Sequence, residues 1–142
     1  MNRPQLVLAA LASAGPSVAF TPVQVQKIFF LLDRRGSTAL GGPHFDFEPY
    51  DYGPFDQAVY HELDALQLID LVQVDVDRRY RTYRLTSRGF IEGSAALAKI
   101  AAPVQNFIRQ TVLWVGSLRF DQLVAAIYRE YPEMKARSIF NQ

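Results

Sequence analysis

The side chains available for chemistry in this chain are two histidines, fourteen carboxylates and fifteen Lys and Arg, with no cysteine. Without cysteine, disulfides, thiolate metal sites and thiol nucleophiles are excluded together. His44 and His61 stand in neither an H-x-x-x-H nor an H-E-x-x-H arrangement, and "HEL" at 61–63 is only half of a zinc motif. A hard cation held by His44, Asp46, Glu48 and Asp51 is conceivable, but their spacing departs from the calcium-loop pattern. "GGP" at 41–43 lacks the Lys-Ser or Lys-Thr of a phosphate loop, no G-x-S-x-G occurs, and the glycines read as a turn. Carboxylates scattered on a helix surface solubilise more often than they catalyse. The expectation is a chain with no catalytic residue, no metal and no cofactor, acting by binding.

Charge is distributed unevenly. From Gly36 to Asp77 there are nine acids (Asp46, Glu48, Asp51, Asp56, Glu62, Asp64, Asp70, Asp75 and Asp77) and no Lys or Arg, so a chain of net +1 carries +10 outside this stretch. Arg78, Arg79, Arg81, Arg84 and Arg88 follow with no acid among them. In the acidic run "FDFEPYDYGPFDQAVYHEL", Tyr50, Tyr52, Phe55 and Tyr60 interleave with carboxylates. Acid-plus-aromatic surfaces suit a basic protein partner, charge steering the encounter and buried rings holding the complex.

These residues must be positioned by helices and one hairpin. A first helix from about Pro4 carries Val7, Ala10, Leu11 and Ala14 before Gly15. The second opens with the T-x-x-Q capping box of Thr21 and Gln24, has Pro22 in its first turn and Phe20 stapled onto Val25, and closes at Gly36. Its run "VQVQKIFFLLDRR" leaves little for water, which makes it the central core helix. Residues 36–52 lack any period and read as an ordered loop or short extended insertion. Asp56 then caps a third helix that buries Val59, Leu63 and Leu66 and turns Tyr60, Asp64 and Gln67 outward. "LVQVDVD" and "YRTYRL" alternate with period two around a tip at "DRR", giving a β-hairpin. Three further helices are expected: one capped by Thr86 with Phe90, Ile91 and Leu97 inward, one opened by Pro103, and one capped by Asp121. Trp114, Tyr128 and Tyr131 fall at core spacing.

This order predicts a mainly α protein with a small β-hairpin: a winged helix-turn-helix-like core over 1–88 with an insertion at 36–52, extended by C-terminal helices over 89–142, all in one domain. The runs "VQKIFFLLDRR", "YDYGPFDQAVYHELDALQLI", "YRLTSRGF" and "FDQLVAAIYREYPEMKARSIF" resemble the Panacea or SocA-like antitoxin domains and the related YwgA-like bacterial proteins. Lys27, Ile28, Phe29 and Phe30 match that family's K-L/I-aromatic-aromatic helix, and Tyr52, Gly53 and Pro54 its Y-G-P turn. The resemblance implies a winged-helix-like fold and, for the antitoxin branch, neutralisation of a toxin by direct contact. It carries over no catalytic residue.

The expected partner-binding residues are Asp46, Glu48, Tyr50, Asp51, Asp56, Tyr60, Glu62 and Asp64, facing a basic, toxin-like protein. The alternative is a DNA-binding regulator, acting as a homodimer, that uses Arg78, Arg79, Arg81 and Arg84 of the wing on the phosphate backbone. Against it, the third helix would enter the major groove, and here that helix is acidic. The arginines have a plainer reading too, as a solvated hairpin or as partners of Asp75 and Asp77. No run is apolar and long enough to span a bilayer, and the expected location is the cytoplasm.

Overall fold

The computed structural model describes residues 1–77 and 80–140. Its element order is α1 (Arg3–Ala12), α2 (Pro22–Leu40), β1 (Glu48–Tyr50), β2 (Gly53–Phe55), α3 (Gln57–Leu68), β3 (Val72–Asp77), β4 (Tyr80–Leu85), α4 (Ser87–Ala98), α5 (Ala102–Gly116) and α6 (Phe120–Glu130), followed by a short 3-10 turn at Pro132–Lys135. The protein is mainly helical with two separate two-stranded antiparallel sheets, β1–β2 and β3–β4. No helix among the described residues is long and apolar enough to cross a membrane.

Helix α2 is the axis of the core. Gln24 N–H donates to Thr21 Oγ1 (3.2 Å) while Thr21 N–H donates to Gln24 Oε1 (2.9 Å), so the expected capping box satisfies two orphan donors reciprocally. Every residue from Val25 to Asp33 is buried, so for more than two turns the helix has no solvent face. At Gly36, the expected stop, the helical geometry is interrupted. There the backbone kinks (φ −134°, ψ 22°) and the helix continues to Leu40, where Gly41 takes the left-handed capping conformation at φ 72°. Gly36 is needed for packing: a Cβ would run into the Phe107 ring of α5.

The stretch expected as an ordered loop or short extended insertion at 36–52 begins with the last turn of α2 over 36–40, runs as a loop over 41–47 and ends in the first strand of a second hairpin. In it Glu48 pairs with Phe55 and Tyr50 with Gly53, whose φ of 103° closes the turn. Too short to show a period of two, these three-residue strands are invisible to pattern reading. The expected hairpin at β3–β4 is present, from Val72↔Leu85 to Asp77↔Tyr80, and Phe20 adds a bridge to Tyr83 with two 2.8 Å backbone bonds.

Several helix details differ from expectation for local reasons. Helix α1 starts one residue early because Asn2 and Gln5 form a capping box. In α4 the buried stripe is Gly89, Gly93 and Leu97, while Ile91 is 67% exposed. A Cβ on Gly93 would meet the Leu8 carbonyl and the Ala12 methyl, so α1 and α4 approach through small residues that hydrophobicity does not flag. Asp121 is not the cap of α6; Arg119 is, with its N–H donating to Gln122 Oε1 (3.0 Å), and Asp121 sits in the first turn. Trp114 is 37% exposed rather than core, whereas Tyr128 is buried and Tyr131 packs against the core partly buried. One hydrophobic cluster draws on α1–α3, the β3–β4 hairpin and α4–α6.

Candidate functional site

The acidic, aromatic stretch is held by its own side chains. Asp33 of α2, buried, accepts from the backbone N–H of His44 (2.9 Å) and Phe45 (2.7 Å) and so pins the chain leaving α2. Phe45 packs on Phe29 and Phe47 on Phe30, so both rings are structural rather than available to a partner. Asp56 caps α3 through Ala58 N–H (2.9 Å), as expected, and its other oxygen accepts from Asp46 N–H (2.7 Å). Gln26 of α2 grips the same residue's backbone at both ends, accepting from Asp56 N–H (2.9 Å) and donating to Asp56 O (3.0 Å). This clamp fixes the β1–β2 hairpin against α2 and α3. Each Asp56 carboxylate oxygen thus already accepts a backbone N–H.

Two chains of rings radiate from the hairpin. Tyr50 stacks on Phe55 (4.8 Å between centroids), Phe55 meets Tyr60 edge-on (5.7 Å), and Tyr60 stacks on Tyr83 of β4 (6.2 Å). Tyr60 is therefore half-buried, not outward-facing; burial pushes its hydroxyl up to about 12, opposed in part by Gln26. On the other side Tyr52 meets Phe120, and Phe120 meets Phe140, whose ring also faces Tyr128. The tail is tied down where Ile139 N–H donates to Asp51 O (2.9 Å). At the tip, Tyr50 and Tyr52 remain 44% and 38% exposed.

Beneath that tip lies a cavity of about 280 Å³, walled by Pro22 and Val23 of α2, Tyr50, Tyr52 and Phe55 of the hairpin and Tyr60 of α3. Lys27 reaches it from α2. That residue is 3% exposed, and its Nζ donates to Pro54 O at 3.2 Å. Burial lowers its ammonium from 10.5 to about 7, and no carboxylate among the described residues lies within ion-pair distance of it. In sequence Lys27 entered only as part of a family motif. The available signal was its place inside an unbroken apolar run, where a helix without a solvent face must bury whatever it carries.

The remaining predicted residues separate into two places. Glu48, Tyr50 and Asp51 lie on the hairpin and Asp46 in the loop that enters it; Asp46, Glu48 and Tyr50 are exposed and Asp51 is half-buried. Glu62 is half-buried and Asp64 exposed on α3. The Asp64 charge acts on Arg81 and Tyr83, so this acid belongs with the β3–β4 hairpin. Arg84 Nε lies 3.3 Å from Asp75 Oδ2, the cross-strand pairing anticipated for it, and the Arg81 charge acts on Tyr83. Arg78 and Arg79 lie outside the described residues. His44 is bonded through its ring to Leu40 O (2.8 Å), His61 is exposed, and no group of three His, Asp or Glu among the described residues is arranged to hold a metal. No family model, no curated protein and no solved structure matches the chain.

Proposed function

We propose that the chain is a non-enzymatic binding protein, of the antitoxin or regulator kind its sequence resembles, that grips a basic protein partner with the tip of the β1–β2 hairpin. The observation carrying this reading is the pair Tyr50 and Tyr52. Each is a large exposed ring braced from behind by further rings, and Asp46, Glu48 and Asp51 lie beside them. Rigid aromatic anchors lose little side-chain freedom on docking and dominate interface energies, while surrounding acids raise the encounter rate with a basic surface. The winged-helix-like core is part of the same proposal. Its support is the element order and the Phe20–Tyr83 bridge, which adds the connection between α1 and α2 to the edge of the β3–β4 hairpin.

A DNA-binding reading draws on one observation, the exposed Tyr80 beside an Arg81 guanidinium that is not buried at all. It is the weaker one, because Arg84 is paired to Asp75 and the Asp64 charge acts on Arg81, which reduces the positive potential offered to phosphate. The two are separated by a binding assay with the captured partner across 50–300 mM salt (roughly the range where phosphate contacts fade). Tyr50→Ser with Tyr52→Ser should abolish a protein complex and leave DNA affinity unchanged. Arg81→Ala with Arg84→Ala should do the reverse if the wing is the working surface, and that result would remove the hairpin-tip reading.

A further inference from the structure

We propose that the cavity beneath the Tyr50–Tyr52 turn is a binding site for a small aromatic carboxylic acid, held as its anion with Lys27 as counter-ion. Three observations converge on that class. The walls supplied by Val23, Tyr50, Tyr52, Phe55 and Tyr60 are apolar or aromatic faces suited to a ring. At about 280 Å³ the space is at the small end of ligand pockets, which run from about 300 to 1,000 Å³ and take drug-sized molecules, so one or two fused rings fill it. Finally, the one cationic side chain in the lining, Lys27, carries three N–H donors, one of which is used on Pro54 O. A buried charge without a counter-ion is costly, and a ligand carboxylate removes that cost where a neutral ligand does not.

The groups facing Lys27 leave it in need of such a partner. From the hairpin these are Tyr50, Asp51 and Tyr52, from α3 Tyr60, and from α6 Tyr128, which meets the lysine across the open side of Gly53. Gly53 itself matters here: a Cβ would come to 3.3 Å from the Tyr128 ring and 3.6 Å from Lys27 Nζ, crowding the base of the cavity. Asp56 is spent on the α3 cap. Asp51 borders the cavity, yet among the described residues it forms no ion pair with Lys27. The site stands independently of any protein partner at the hairpin tip.

The test is calorimetric titration of the full chain with three matched probes: 2-naphthoate, 2-naphthylmethanol and 2-naphthylmethylammonium. At pH 6 the anion should bind at least about 10-fold more tightly than the alcohol, as expected for a charge-assisted contact. Because only the protonated lysine attracts it, the anion's advantage over the alcohol should be lost between pH 6 and pH 9, with the alcohol unaffected. Lys27→Met should erase the preference for the anion while retaining the alcohol. Val23→Phe, which fills the cavity and leaves the lysine in place, should exclude all three probes. Tightest binding of the ammonium probe, no binding of any probe, or an anion preference that survives Lys27→Met would each overturn the assignment.

Discussion

Replacing Lys27 by Met should stabilise the protein at pH 6 and do little at pH 9. Burial holds the folded-state lysine near 7 against 10.5 when exposed, so the unfolded chain binds the proton more tightly. The penalty on folding is complete below pH 7, on the order of 5 kcal/mol, and lifts as pH rises from about 7 towards 10.5. Between pH 6 and pH 9 the wild type should therefore gain about 3 kcal/mol from this residue. The Met variant loses the bond to Pro54 O, worth about 1 kcal/mol, and retains the stem's packing, so its net gain at pH 6 is a few kcal/mol. Urea unfolding at the two pH values measures both quantities. The range stops at pH 9 because Tyr60, Tyr83 and Tyr128 are raised by burial, and their ionisation above pH 10 favours unfolding instead. Equal stability of the wild type at pH 6 and pH 9, unchanged by the substitution, would refute the picture of a desolvated, unpaired lysine.

Two further substitutions probe how the site is supported. Gly93→Ala should destabilise by about 1–3 kcal/mol or more, because the methyl is driven against the Leu8 carbonyl where α4 crosses α1; urea midpoints will read it. Asp33→Ala should cost about 1–3 kcal/mol for leaving the His44 and Phe45 N–H groups unmatched, and amide exchange at those two residues should accelerate before global unfolding does.

Sequence reading recovered the elements whose signals are local and repeated. The Thr21–Gln24 box, the Asp56 and Thr86 caps, the Val59–Leu63–Leu66 stripe and the β3–β4 alternation all reappear in space. It missed features whose cause is remote. That the chain resumes a helix after the break at Gly36, with Phe107 packed against that glycine from seventy-one positions away, has no local signal, and Gly89 and Gly93 carry no hydrophobic signal although they decide which face of α4 is buried. The site divides in the same manner. Tyr50 and its neighbouring acids were legible from composition, and so was the Asp56 cap, but that the second Asp56 oxygen would hold Asp46 N–H could be known only once the hairpin had folded back. Lys27 was legible in principle, since polarity inside an apolar run on both sides of a helix has nowhere to go.

The most direct test of the binding reading is capture by the tagged chain from a lysate of its own host, with nuclease present, run in parallel with the Tyr50→Ser, Tyr52→Ser variant and the Arg81→Ala, Arg84→Ala variant. The account predicts one basic protein retained in stoichiometric amount by the wild type and by the arginine variant, and lost from the tyrosine variant. Recovery that survives loss of both tyrosines, or that consists only of nucleic acid lost with nuclease and with the arginines, would contradict it.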